Sequence, residues 1–404
     1  MYTPALLQNF NLDNNALTRD DIVALYYHSG YTIKEVIGFL ASRHDIALSE
    51  RQVHRILRKM NLHRRDNQSS LEEVINAILH ELSGTGQNVG YRGMRGRLLV
   101  NHGLVVSCEI VRLALSVLDA EGVAARRQRS LRRRTYMNKG PNFAIHIDGW
   151  DKLKPFGISV HAAIDGFSRR ILWLRACDSN KKPHYIAQFY MDYIKEVNGV
   201  PMIIYADRGT ENSITRDMQY ALRWHHSDPF QGLSSFIYGS STRNTRIERF
   251  WRNMREMCGN TYMNHFKDMA DYGILDTSDN VHLECVRYCF MPLINQELKR
   301  VINQWNIHRI RPSRNLDGPC GKPDVLFFQP EVYGTRDFKM SMPGNIGLME
   351  QEYAQYPPSR GVSVEFEVLA TSIICQYGLR DQIPTSIYEA SELFIQLTHY
   401  IGLL

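Results

Sequence analysis

At Phe143 the apolar residues of this 404-residue chain stop recurring at helical spacing and begin to alternate, a change of period that narrows the possible folds sharply. Phe143, Ile145 and Ile147 alternate, Ile158 to Ile164 is rich in β-formers, and Ile171-Leu172-Trp173-Leu174 follows after Asp165-Gly166, a hairpin turn signal. Ile186, Phe189, Tyr190, Tyr193, Ile194 and Val197 then form a helical stripe, ended by Asn198-Gly199 and Pro201, and Met202–Ala206 reads as a short buried strand. Three consecutive strands able to pair antiparallel, a crossover helix and a strand able to lie parallel to the first predict an α/β fold with a mixed sheet flanked by helices.

Everything before this point is helical in pattern. Thr18 ahead of Asp20-Asp21, and the capping boxes Thr32-Ile33-Lys34-Glu35 and Ser49-Glu50-Arg51-Gln52, start three short helices within residues 15–66. The third is apolar on one side (Val53, Ile56, Leu57, Met60) and basic on the other (Arg51, Arg55, Arg58, Lys59), the pattern of a helix-turn-helix domain whose last helix enters the DNA major groove. A second helical unit with an arginine-rich linker occupies 70–137. The sheet-forming core is expected over 140–330, and a mainly helical extension over 340–404.

Charge follows the same division. The chain carries 48 Lys+Arg against 42 Asp+Glu, a formal +6. Residues 341–404 hold two Arg, no Lys and seven Asp/Glu, a net of −5, which leaves the first 340 residues with 46 basic and 35 acidic groups, a net of +11. The densest run holds six arginines in nine residues, Arg126, Arg127, Arg129, Arg132, Arg133 and Arg134, and suits phosphate contacts or nuclear import. No apolar run approaches the roughly 18–20 residues of a membrane span, so no membrane partner is expected. Seven cysteines, none before Cys108 and none in a CxxC pair, fit a reducing compartment.

The predicted strand order sets the first and fourth strands side by side, which makes neighbours of Asp148 and Asp207. Two carboxylates in one crevice suit a hard divalent cation. A third is offered by Glu248 in Arg246-Ile247-Glu248-Arg249-Phe250-Trp251-Arg252, where Ile247, Trp251, Met254 and Cys258 form an apolar stripe and Glu248, Arg252 and Arg255 an adjoining face. Asp165 is assigned to its hairpin turn, and Glu211 to orienting the segment after Asp207. His282, Cys285 and Cys289 are assigned to helix packing.

The triad Asp148, Asp207 and Glu248, with 58 and 40 residues in its gaps, resembles that of the retroviral integrase and transposase superfamily. Ala206-Asp207-Arg208-Gly209-Thr210-Glu211-Asn212 resembles the family's D-x-G-x-E segment. Residues 239–249 resemble its Ser/Asn-rich loop running into an N-x-x-x-E-R helix, and Trp305–Pro312 its WN/YN-x-x-RP element. The phrases at 147–157 and 164–174 are most similar to eukaryotic integrase-core-domain proteins. The resemblance implies a ribonuclease-H-like sheet of five strands and a transposase or integrase that cleaves DNA and transfers strands. It also implies Mg²⁺ (or Mn²⁺), two ions, held by Asp148, Asp207 and Glu248, with no other cofactor. Arg252, Arg255 and, in the loop before Glu248, Asn244 would contact DNA. The partners implied are element ends, target DNA and further copies of the chain in a homo-oligomer, and the location implied is the nucleus. With no cysteine near His28, His44, His54 or His63, the zinc module of retroviral integrases is absent, and no zinc is expected. A host-adopted, non-catalytic DNA-binding or scaffold protein and a metal-dependent nuclease are the alternatives.

Overall fold

The alternating segments fold as consecutive strands of one sheet in the computed structural model, which describes residues 18–62, 68–126, 138–239, 244–312, 318–342, 344, 346–379 and 383–403. Among the described residues seven helices come first: α1 (Arg19–His28), α2 (Ile33–His44), α3 (Glu50–Lys59), α4 (Leu71–Ser83), α5 (Tyr91–His102), α6 (Cys108–Leu118) and α7 (Ala120–Arg126). The sheet region holds β1 (Ala144–Trp150), β2 (Ser159–Asp165), β3 (Ile171–Cys177), α8 (Pro183–Val197), β4 (Ile203–Ala206), α9 (Ser213–Leu222), β5 (Phe236–Tyr238), α10 (Thr245–Met254) and α11 (Asn260–Asp271). Then follow α12 (Asn280–Ile307), α13 (Pro323–Phe328), α14 (Gly347–Tyr353), α15 (Val364–Tyr377) and α16 (Ile387–Ile401).

The strands lie in the order β3-β2-β1-β4-β5. β2 and β3 pair antiparallel, whereas β4 runs parallel to both β1 and β5. This is the mixed, helix-flanked sheet of the ribonuclease-H-like fold. Every residue from Ala144 to Asp148 is buried, so the alternation of Ile145 and Ile147 does not separate a wet face from a dry one. A strand covered on both faces needs apolar or hydrogen-bonded side chains on each.

Two compact units divide the chain. The first runs to Phe143 and adds Asp165–Arg170 and Ile302–Phe338. In it α1, α2 and α3 each open with a capping box, at Thr18/Asp21, Thr32/Glu35 and Ser49/Gln52. Their core includes Val23, Tyr26, Val36, Phe39, Leu40, Val53, Ile56 and Leu57, with Tyr26 stacked on Phe39 at 5.0 Å. Asp324 of α13 anchors this cluster: it accepts from Arg170 Nε at 2.8 Å and from Tyr31 Oη at 3.2 Å. Around α4, α5 and α6 a second core forms on Val74, Ile78, Met94, Leu98, Val111 and Leu115. There buried Glu81 accepts from Arg97 Nη1 at 2.7 Å, from Asn101 Nδ2 at 2.6 Å and from His102. Asp165 accepts from the amides of Asn142, Phe167 and Ser168 and from the Ser168 hydroxyl, the turn-forming role expected of it.

The second unit holds Ala144–Ile164, Ile171–Val301 and the chain from Lys339 onward. The acidic tail packs within it. Val200 and Met340 form a bridge, Glu350 of α14 takes Gln188 and Lys195 of α8, and Ser391 of α16 meets His265 of α11.

Candidate active site

β1 and β4 pair in register, Ala144 with Ile203 and His146 with Tyr205. Carried two residues further, the same register sets Asp148 beside Asp207. β1 continues to Trp150, so Asp148 lies within its strand, whereas Asp207 lies just past the end of β4.

Asp148 is buried, and its Oδ2 accepts the indole N–H of Trp251 at 2.8 Å. Burial pushes its carboxyl up to about 7, helped by the carboxylates of Asp207 and Glu248 and opposed by the Trp251 bond. The indole comes from α10, whose Ile247, Phe250, Trp251 and Met254 are all buried. Past Met254 the helix widens into a π turn, Arg255–Gly259. Gly259 is required there, because a Cβ would stand 2.9 Å from the ring of Trp150. Trp150 in turn stacks on Trp251, with ring centroids 6.5 Å apart.

Glu248 stands on the exposed side of α10, and its carboxyl is raised by partial burial and by Asp207. The start of α10 corrects the role expected of Asn244. This residue is buried, donating from Nδ2 to the Ile147 carbonyl at 3.1 Å and accepting at Oδ1 from His146 Nδ1 at 2.7 Å. Both ends of its side-chain amide are bonded inside the fold and the residue is 3% exposed, so it faces the core. Burial pushes His146 down to about 4, so the ring is neutral at pH 7. The carbonyl fixes which way the amide faces, and that makes Nδ1 the protonated nitrogen.

Asp207 is half-buried, and its Oδ1 meets no hydrogen-bond donor among the described residues. Glu211 folds back over Gly209, where a Cβ would stand 1.9 Å from its carboxylate oxygen. Its Oε1 accepts from Asn212 Nδ2 at 3.1 Å, as suits the orienting role expected of it. Burial, then Asp207 and Asp151, raises the Glu211 carboxyl.

A divalent cation fits the donors at this place. They are all oxygens, one of them a buried oxygen of Asp207 that meets no donor among the described residues, and the Asp207 charge raises the carboxyls of Asp148 and Glu248 as an uncompensated like charge does. Asp148, Asp207 and Glu248 are the side chains that would hold it. They are not drawn into a finished cage: among the described residues no three His, Cys, Asp or Glu side chains form a preformed ion site. Cys285 and Cys289 are buried in α12, and burial holds both thiols well above their usual range.

Arg51, Arg55, Arg58 and Lys59 all lie on the exposed side of α3, opposite buried Val53, Ile56 and Leu57. Arg252 and Arg255 are exposed as well, the first 3.6 Å from Glu256 and the second bonded to Asn260. Arg127, Arg129, Arg132, Arg133 and Arg134 lie outside the described residues, as does the side chain of Arg126. Ahead of α10, Phe236–Tyr238 is strand β5 and residues 240–243 of the Ser/Asn-rich loop fall outside the described residues. Among the described residues no helix is long and apolar enough to cross a membrane.

Sequence reading missed His146 and the Trp251 N–H as parts of this site. The available signal was a histidine in the otherwise apolar run Ala144–Ile147, since a polar side chain in a strand buried on both faces needs a partner.

No curated protein matches the chain. Residues 135–327 match the family model of the integrase core domain. That segment contains the whole sheet, Asp148, Asp207 and Glu248, and through it the sheet region is similar to the integrase core domain.

Proposed function

We propose that this protein is a DNA transposase or integrase that cleaves and joins DNA strands, using Mg²⁺ (or Mn²⁺) held by Asp148, Asp207 and Glu248. One observation carries the reading: in a segment similar to the integrase core domain, the β1–β4 register sets Asp148 beside Asp207, and Glu248 of α10 stands near enough for the Asp207 charge to raise its carboxyl. The chemistry that divalent cations supply to such a set is activation of an attacking water or DNA 3′-hydroxyl and stabilisation of the leaving oxygen. Trp251 holds one oxygen of Asp148, which would fix the orientation of the carboxylate toward the ion. Arg252 and Arg255, on the same helix as Glu248 or just past it, would take DNA phosphates. The α1–α3 unit would read element ends with the basic side of α3, as in helix-turn-helix domains. Joining two ends calls for more than one copy of the chain, and the arginine run supports a nuclear location.

Labelled DNA incubated with Mg²⁺ or Mn²⁺ tests the assignment, with wild type set against Asp148→Asn, Asp207→Asn and Glu248→Gln. The expected result is metal-dependent nicking or joining that each substitution abolishes while DNA binding persists. Wild-type turnover no higher than that of the triple variant would refute it. Cut ends that are never joined would instead identify a nuclease. The second reading, a non-catalytic DNA-binding or scaffold protein, calls for DNA that is bound and left intact with either ion. The same assay separates the two.

A further inference from the structure

Asn244 occupies the N-cap position of α10, where an asparagine ordinarily turns its side chain onto the first amides of its own helix. It makes no such bond. Its side chain reaches instead to β1, bonding His146 Nδ1 and the Ile147 carbonyl, two residues and one residue before Asp148. Its own carbonyl accepts the amide of Glu248 at 3.2 Å. A continuous run of hydrogen bonds therefore links the strand carrying Asp148 to the backbone of Glu248. His146 is fully buried and Asn244 nearly so, which keeps water from competing for these bonds. The His146 ring also stacks on Tyr205 at 5.2 Å, two residues before Asp207. One imidazole thus touches β4 and, through Asn244, the start of α10, while itself belonging to β1.

We propose that His146 and Asn244 are positioning residues, a latch that holds Glu248 at a set place relative to Asp148 and Asp207. The inference rests on the cation-binding reading of the three carboxylates. Helix start and strand would each form without it: a serine or aspartate caps a helix equally well, and an apolar residue fills a buried strand position. What the pair adds is a tether between two separate elements that each carry one carboxylate. Residues bonded behind metal ligands commonly change affinity by about 10–100-fold when removed.

Calorimetric titration of the full chain with Mn²⁺ alone tests this, together with hydrogen exchange at the Glu248 amide. His146→Phe keeps a ring over Tyr205 and deletes the N–H donor, whereas His146→Asn restores a donor near the same place. Asn244→Ser gives α10 an ordinary cap and removes the tether, so it keeps the comparison open if His146→Phe fails to fold. Mn²⁺ binding is expected to weaken about tenfold in His146→Phe and Asn244→Ser and to recover largely in His146→Asn. Exchange at the Glu248 amide should quicken in the first two while β2 and β3 amides keep their protection. In a Glu248→Gln background, His146→Phe should cause no further loss of affinity. Wild-type Mn²⁺ affinity in folded His146→Phe and Asn244→Ser would overturn the latch, as would an undiminished effect in the Glu248→Gln background. If Asp148→Asn and Glu248→Gln themselves bind Mn²⁺ as wild type does, the cation-binding reading fails first and takes the latch with it.

Discussion

Asp324 offers a sharp test of how the N-terminal helices are held within their unit. Its carboxylate is fully buried, and the Arg170 side chain it meets at 2.8 Å is 3% exposed. The same guanidinium lies over the rings of Phe327 and Phe328, at 5.3 and 5.0 Å, so the cation sits in apolar surroundings that solvate it poorly. Removing one charge of such a buried pair costs about 3–5 kcal/mol, because the other remains desolvated without its offset. Tyr31→Phe removes only the hydroxyl bond at 3.2 Å and should cost about 1 kcal/mol. Asp324→Asn keeps the shape and an acceptor for Tyr31 but loses the charge, so it should be the more damaging change by about 2–4 kcal/mol, the difference of those two ranges. At ~1.4 kcal/mol per tenfold, that gap is roughly 30- to 700-fold in the local opening constant. Hydrogen exchange of the α1–α3 amides reads it directly, provided opening and closing are fast relative to exchange. The double change Arg170→Met with Asp324→Leu should recover most of the loss, since a buried pair is often replaceable by apolar side chains of similar volume. An Asp324→Asn variant no worse than Tyr31→Phe would refute the assignment of the ion pair as the anchor.

Three further outcomes are expected. Trp251→Phe deletes a 2.8 Å bond to a buried carboxylate, worth about 1.5–3 kcal/mol, and should slow metal-dependent nicking by roughly 10–100-fold with DNA affinity intact; unchanged nicking rates would count against it. Burial alone would raise the Glu81 carboxyl, yet Arg97, Asn101 and His102 together hold it below its ordinary value. Its contribution to stability is therefore complete above the ordinary carboxylate range and lost as pH falls through the lowered value. Thermal unfolding across an acid series should show an acid limb that Glu81→Gln flattens; identical limbs would refute the linkage. On α3, replacing Arg51, Arg55 or Arg58 by Ala should each lower the salt slope of DNA binding by about 1, and a slope that stays put in fluorescence titrations would remove that helix from the interface.

How much of this was legible beforehand differs from element to element. The capping boxes at Thr32 and Ser49 mark helix starts that the structure contains, because a cap and its N3 partner lie within one turn and need no tertiary context. The strand pattern gave the sheet for the same local reason. Short β5 carried no periodicity to read, since three residues cannot establish a period, and it exists through its pairing with β4. Asn244 stands in a polar loop before Glu248, the place of a DNA contact, and chain position does not reveal that its amide is turned inward.

By itself the sequence determined the change from helix to sheet, the spacing of three acidic residues and the split between a basic body and an acidic tail. These properties lie within a few residues of one another or follow from counting. Only the tertiary structure decided that Trp251 bonds Asp148, that Gly259 admits the ring of Trp150, that His146 and Asn244 join β1 to α10, and that the acidic tail packs on α8 and α11. Each is a contact between residues distant in the chain, where burial removes competing water and makes one particular partner necessary.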